Sequence, residues 1–250
     1  MSNIAVILPA AGASRRFGDK NYKKPFAMLA GRAVWLHSAE KFLARKDVKQ
    51  VIVVVAEEDQ EEFKRKFGAN LAILGIEVCT GGKERSDSIA NALGKLSDEI
   101  DTVAVHDAAR PCVTEKQLDA VFAAAEKSGA ALLAAPIAGT LKRAKASTSG
   151  TETSVAETVD RSGLWEAQTP QVFRRELIEQ AYSQRGDESA TDDAQLVERL
   201  GEPVTLVKSA ATNIKITTKG DLRLAEQILK IAPKTKTGGV NPFAGDDMWR

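Results

Sequence analysis

Cysteine is scarce in this chain: Cys79 and Cys112 are the only two in 250 residues. That is too few for a disulfide framework, and no paired metal-ligand spacing surrounds them, so both are expected as reduced core thiols. Aromatic side chains make up 5% of the chain, which argues against a stacking platform for single-stranded nucleic acid. Neither sign of charge is in excess, since 35 Lys and Arg face 34 Asp and Glu. A broad nucleic-acid surface is therefore not expected, and any affinity for phosphate must be local. No apolar run approaches the ~20 residues needed to cross a bilayer. Met1 leads straight into a strand without a basic leader, so the expectation is a cytoplasmic enzyme or binding protein without membrane association. The pattern Gly-x-Gly-x-x-Gly is missing after the first strand, which leaves a dinucleotide oxidoreductase as a weak alternative.

What the chain does contain is concentrated near its start. The apolar run Ile4 to Leu8 empties into Pro9, Ala10, Ala11, Gly12, Ala13 and Ser14, then into Arg15 and Arg16 and the lysines Lys20, Lys23 and Lys24. Small residues after a strand let the backbone approach a ligand, and unpaired N–H groups there suit an anion. The cationic donors just beyond match a polyphosphate better than a neutral metabolite. The same residues met alone would read as a solvated charge run.

Further along, apolar strands alternate with amphipathic helices. A helix is expected over 33–45, a doubly covered strand over 51–55, a charged helix over 59–67 and a strand over 71–78. This order argues for an α/β fold with a mostly parallel sheet. A second turn, Gly81-Gly82, precedes a helix that carries Arg85 and Ser88 near its N-terminal turn. Next comes a strand ending at His106 and Asp107, with Arg110 beyond it, where ligands of open α/β sheets collect. Thr114 and Gln117 read as a capping box, and 130–136 as another strand. The polar stretch 139–160 reads as a hairpin with too little apolar surface to stand alone, hence an arm resting on a second subunit. The stretch 160–171 reads as a site-forming loop, with Trp165 as its anchor. Helices follow at 174–183 and 191–200, where Asp192 and Asp193 suit the helix dipole. A strand at 204–207, a short strand at 213–217 and a last amphipathic helix complete a domain spanning 1–231, with a flexible tail at 232–250.

The order of motifs resembles one family. Pro-Ala-Ala-Gly-x-x-x-Arg, a Lys-rich turn, Gly-Gly-x-x-Arg-x-x-Ser, Val-His-Asp-Ala-Ala-Arg-Pro, Thr-Val-Asp-Arg-x-Gly-Leu-Trp and Asn-Ile-Lys-Ile-Thr occur in sequence from about Ile4 to about Ile231. Together they resemble the 2-C-methyl-D-erythritol 4-phosphate cytidylyltransferases, members of the GT-A-like nucleotidyltransferases. The resemblance implies a mostly parallel twisted sheet flanked by helices, with a projecting β-hairpin arm (138–160) for homodimerisation. It also implies Mg²⁺-dependent transfer of CMP from CTP to methylerythritol phosphate, with release of pyrophosphate.

Carried onto this sequence, it implies nucleotide contacts from Pro9, Ala10, Ala11, Gly12, Gly82 and Ser88, with Arg85 bracing the loop. Arg16, Lys24 and Lys215 would serve as catalytic cations. The family's Pro-Lys-Gln turn is Lys23-Lys24-Pro25 here, so Lys20 and Lys23 stay open beside Lys24. Asp107 would hold metal and acceptor, and Arg110, Thr140, Arg161 and Thr169 would bind the acceptor. Two alternatives remain at this point: a cytidylyltransferase acting on ribitol 5-phosphate or another sugar-alcohol phosphate, and a non-catalytic nucleotide-binding regulator.

Overall fold

The computed structural model describes residues 2–11, 26–145, 153–186 and 190–231. Strand β1 (Ile4–Pro9) shows why its run is apolar without a break. Ile4, Val6 and Leu8 enter one hydrophobic cluster, while Ala5 and Ile7 enter another. A strand covered on both faces needs apolar side chains at both phases of its two-residue period.

The short pair β2 (Met28–Leu29) and β3 (Arg32–Ala33) leads into α1 (Val34–Leu43), and β4 (Val48–Val55) follows. A 3-10 turn and α2 (Gln60–Leu74) precede β5 (Glu77–Thr80). Here the structure departs from the expected strand over 71–78. Phe63, Phe67 and Leu71 continue one buried stripe at helical spacing, and the helix stops only where Gly75 adopts a φ of 62°. Glycine takes that left-handed conformation without a Cβ penalty, so it sets the helix end.

The chain continues through α3 (Arg85–Leu93), β6 (Thr102–Val105), α4 (Glu115–Ser128) and β7 (Ala130–Pro136). The expected capping box is present, with Gln117 N donating to Thr114 Oγ1 at 3.3 Å and Thr114 N donating to Gln117 Oε1 at 2.9 Å. The antiparallel hairpin β8 (Leu141–Ala144) and β9 (Val155–Val159) forms a small sheet of its own. Then come β10 (Trp165–Arg174), α5 (Arg175–Ser183), α6 (Asp193–Arg199), β11 (Thr205–Lys208) and α7 (Lys219–Ile231).

The main sheet has seven strands in the order β11-β7-β10-β6-β1-β4-β5. β10 is antiparallel to both of its neighbours, β6 and β7, and every other pairing in the sheet is parallel. Much of the stretch read as a site-forming loop over 160–171 is thus a central strand. Its pairing with β7 shifts register between Ala167 and Gln171, and such irregularities re-aim side chains. Trp165 begins this strand and remains 38% exposed, so it anchors nothing by burial. The expected strand over 213–217 is instead an irregular segment, fixed by side-chain hydrogen bonds.

Helices α1, α2 and α4 cover one face of the sheet, and α3, α5 and α6 cover the other. α7 closes over Leu29, Val34, Cys112 and Ile216. Both cysteines are buried and free. Among the described residues no helix is long and apolar enough to cross a membrane.

Candidate active site

The carboxyl ends of β1, β4, β5 and β6 lie side by side, because these strands are parallel neighbours. Backbone hydrogen bonds carry the order past the strand ends. Ala10 N donates to Val54 O and Gly81 N to Val55 O, each at 2.8 Å, and His106 N donates to Ile7 O at 2.9 Å. Ala10, Ala11, Gly81 and Asp107 are thereby brought to one rim.

Two glycines there are dictated by space. A Cβ on Gly81 would stand 2.6 Å from the Cβ of Ala11, and one on Gly82 would stand 2.2 Å from the Cβ of Asp87. The loop after β5 is set against the loop after β1 at a separation that only glycine allows. Gly82 N donates to Ser88 Oγ at 3.0 Å, and Ser88 Oγ donates to Glu84 O at 3.1 Å. Ser88 is 3% exposed, so its hydroxyl shapes the loop from inside. Arg85 turns toward α6: its Nη1 and Nη2 donate to Asp193 Oδ1 and Oδ2 at 2.9 and 2.6 Å.

The second group centres on Asp107. Its Oδ2 lies 2.9 Å from Lys215 Nζ and 3.2 Å from Arg110 Nε. Burial alone would raise the pKa of this carboxyl, but the charge and hydrogen bond of Lys215, with Arg110, outweigh burial and bring it down to about 2. Asp107 is therefore ionised at neutral pH. Arg110 Nη1 donates to Asn213 O at 2.7 Å, while Asn213 Nδ2 donates to Gln168 Oε1 and Thr169 O, both at 3.0 Å. These bonds seat the irregular segment that carries Lys215.

Thr169 Oγ1 accepts from Asp107 N at 3.0 Å and lies 3.2 Å from His106 Nδ1. His106 Nε2 lies 3.0 Å from the carbonyl of Arg110. A carbonyl only accepts, so Nε2 carries the proton, and a neutral ring then takes the Thr169 hydroxyl proton at Nδ1. Burial, against the weaker pull of the Arg110 carbonyl, brings His106 down to about 4, which agrees with that neutral tautomer.

The structure thus assembles two groups, Gly82, Arg85 and Ser88 in one, and Asp107, Arg110, Thr169 and Lys215 in the other. Pro9, Ala10 and Ala11 border the first. Thr140 and Arg161 stand exposed at the root of the hairpin, outside both. Gly12, Arg16 and Lys24, together with Arg15, Lys20 and Lys23, lie outside the described residues. Sequence reading missed Asn213, which it named only within a strand, and Asp193, which it assigned to the helix dipole. The Asp-Asp pair at 192–193 was visible, but its burial was not. An open cavity of about 480 Å³, lined by Ile4, Arg45, Asp47, Thr102, Asp119 and Phe122 among others, lies at the amino ends of β1 and β6, away from this rim.

A mostly parallel α/β sheet with small-residue loops and clustered cations at its carboxyl rim defines the class: a nucleotidyltransferase. A family model described as 2-C-methyl-D-erythritol 4-phosphate cytidylyltransferase matches residues 4–231. A relative of that name from Rhodopirellula baltica is 44% identical over 239 residues, covering 91% of this chain and 95% of its own. Another, from Bacillus velezensis, is 42% identical over 229 residues, covering 90% and 95%. The crystal structure of the enzyme of that name from Thermus thermophilus superposes with a TM-score of 0.72 at 33% identity, covering 92% of this chain and 100% of that one. The chain belongs to the 2-C-methyl-D-erythritol 4-phosphate cytidylyltransferase family, the CTP-dependent nucleotidyltransferases of the methylerythritol phosphate pathway.

Proposed function

We propose that this chain transfers CMP from CTP to 2-C-methyl-D-erythritol 4-phosphate and releases pyrophosphate, with the reaction centred on Asp107 and Lys215. One observation carries this reading: a buried, ionised carboxylate held between a lysine and an arginine on the same carboxyl rim of the sheet as the glycine loop. In-line attack by the acceptor's phosphate oxygen on the α-phosphorus brings two anions together. It also concentrates charge in a pentavalent transition state. Lys215 suits that charge, because its side chain is 41% exposed and its ammonium has donors to spare for phosphate. Arg16 and Lys24, assigned by family resemblance, would add charge on the triphosphate. An acceptor phosphate is largely ionised at neutral pH, so no general base is assigned. His106 holds the Asp107 loop and moves no proton.

A divalent cation fits this donor set. Among the described residues no group of three or more His, Cys, Asp or Glu forms a dedicated cage, but Mg²⁺ is commonly bound by one or two carboxylates together with substrate phosphates and water. Asp107 would be that carboxylate, and bound Mg²⁺ would neutralise phosphate charge. The backbone of Pro9, Ala10 and Ala11 with the Gly82 loop would receive the nucleoside. Arg110 and Thr169 would hold the acceptor from inside, and Thr140 and Arg161 would reach it from the arm of either subunit of a homodimer.

Pyrophosphate release tests the reading, assayed with each of the four NTPs against methylerythritol phosphate and ribitol 5-phosphate. Turnover with CTP and methylerythritol phosphate, abolished by chelator and restored by Mg²⁺, is expected. Preference for ribitol 5-phosphate would overturn the acceptor, and CTP binding without turnover would overturn catalysis.

A further inference from the structure

Asp193 has no part in the reaction as described, yet it is the most completely enclosed charge near the nucleotide loop. Its residue exposure is 0%. Oδ1 accepts from Arg85 Nη1 at 2.9 Å and from the Tyr182 hydroxyl at 2.6 Å, and Oδ2 accepts from Arg85 Nη2 at 2.6 Å. Its backbone is fixed as well: the N–H groups of Asp193 and Ala194 donate to Gln171 Oε1 at 3.1 and 2.9 Å, and Gln171 Nε2 donates to Asp192 at 2.8 Å. Gln171 lies on β10, two residues past Thr169.

A second ion pair joins the same two regions with reversed polarity, Arg185 Nη2 to Asp87 Oδ1 at 2.6 Å. Its side chains are 28% and 35% exposed, against 33% for Arg85 and 0% for Asp193. Water reaches both partners of that pair but only the arginine of the first, so the pair with the buried carboxylate is screened less and sets the geometry.

Stability alone is a poor reason to keep such a carboxylate. α3 and α6 already bury apolar stripes against the sheet, and a buried ion pair contributes little more than hydrophobic residues of equal volume would. What the pair adds is direction. Arg85 is the first residue of α3, Glu84 N is capped by Asp87 Oδ2, and Gly82 N is bound to Ser88 one turn on. The orientation of this first turn therefore fixes where the backbone of Gly82 points. A two-pronged carboxylate grip holds Arg85 in one orientation, as a single contact would not.

We propose that Asp193 is a positioning residue for the nucleotide base, acting through Arg85 on the loop 81–88. The proposal rests on the reading that this loop receives the cytosine of CTP. Asp193 thereby determines how well the enzyme binds CTP and how strongly it prefers CTP to UTP. The two bases differ at the hydrogen-bonding edge that a fixed backbone can discriminate.

The test is steady-state pyrophosphate release by the full chain with CTP or UTP, methylerythritol phosphate being the acceptor, alongside thermal unfolding. For Asp193→Asn the KM for CTP should rise about tenfold or more, with the CTP-over-UTP preference falling by a similar factor and the acceptor KM moving less than about twofold. Arg85→Lys keeps a charge on the carboxylate but loses the two-pronged grip. It should show the same split, and it decides the matter if Asp193→Asn does not fold. Folded variants with an unchanged CTP KM and preference would overturn the role of Asp193, as would a fall in kcat with preference intact. Wild-type turnover separates the two levels: without it the functional reading fails and takes this one along, whereas normal wild-type turnover with unshifted variants refutes Asp193 alone.

Discussion

Lys215 and Asp107 sit 2.9 Å apart, and without the lysine Arg110 still faces that carboxylate. Lys215→Ala takes away a half-exposed ammonium, so the fold should survive while kcat falls by roughly a hundred- to a thousandfold, the scale seen for loss of one transition-state donor. Circular dichroism beside single-turnover rates checks both halves, and a near-normal rate would remove Lys215 from the mechanism.

His106 makes a prediction about stability. Its folded pKa of about 4 lies below the ordinary histidine value of 6.5, so the unfolded chain binds more protons between these values. Stability from keeping this ring neutral is present above about pH 6.5 and is lost as pH falls toward 4, amounting to on the order of 3 kcal/mol. Urea titrations across that window should show the loss, and His106→Asn should flatten it; an unchanged slope would contradict the buried neutral ring. That Asp107, Arg110 and Lys215 meet was expected because their motifs, in chain order, resemble those of one family. The place of Asp193 was not, because it belongs to none of those motifs, and its pairing with Arg85 leaves no sign in local sequence.

The loops after β1 and β5 act as one unit because Gly81 touches Ala11. Gly81→Ala would force two Cβ atoms to 2.6 Å, and neither can rotate away. The variant should lose about 1–3 kcal/mol of stability and bind CTP more weakly, which denaturant melts and CTP titration would reveal; an undisturbed pair of values would mean the loops do not need their close contact. At this scale sequence patterns worked where burial was uniform. β7 was expected over 130–136 and spans Ala130–Pro136, an unbroken apolar run. They failed at β10, where Gln168, Thr169 and Gln171 are buried polar residues that interrupt any apolar period. Those side chains are inside because they bind partners such as Asn213 and Asp192, a reason that exists only once distant segments meet. The end of α2 was misjudged for the opposite reason, since Leu71 and the residues after it fit a helix or a strand about equally until Gly75 ends the turn.

For the whole molecule, the hairpin of β8 and β9 is the part that a lone chain explains least. Val155 is 56% exposed, and Leu164 and Trp165 near its root are 40% and 38% exposed, apolar surface that a second copy would cover. Sedimentation should give twice the mass of one chain, and Val155→Glu should shift the distribution toward monomer while raising the KM for the acceptor through Thr140 and Arg161. A wild-type mass of one chain would count against the dimer. The doubly covered sheet followed from the alternation of apolar strands and amphipathic helices, but the reversed direction of β10 did not, since a chain's heading within a sheet leaves no local mark. The tail at 232–250 lies outside the described residues.

Asn213 clasps Gln168 and Thr169 and receives Arg110, and only then does the chain present Lys215 to Asp107. Translation must pass this point before the enzyme exists. A ribosome stalled just before codon 213 would hold a nascent polypeptide with all the strands of the main sheet already synthesised and no lysine for Asp107. The main sheet is therefore complete in the growing chain before the segment that reaches Asp107, and before α7, which closes over Ile216.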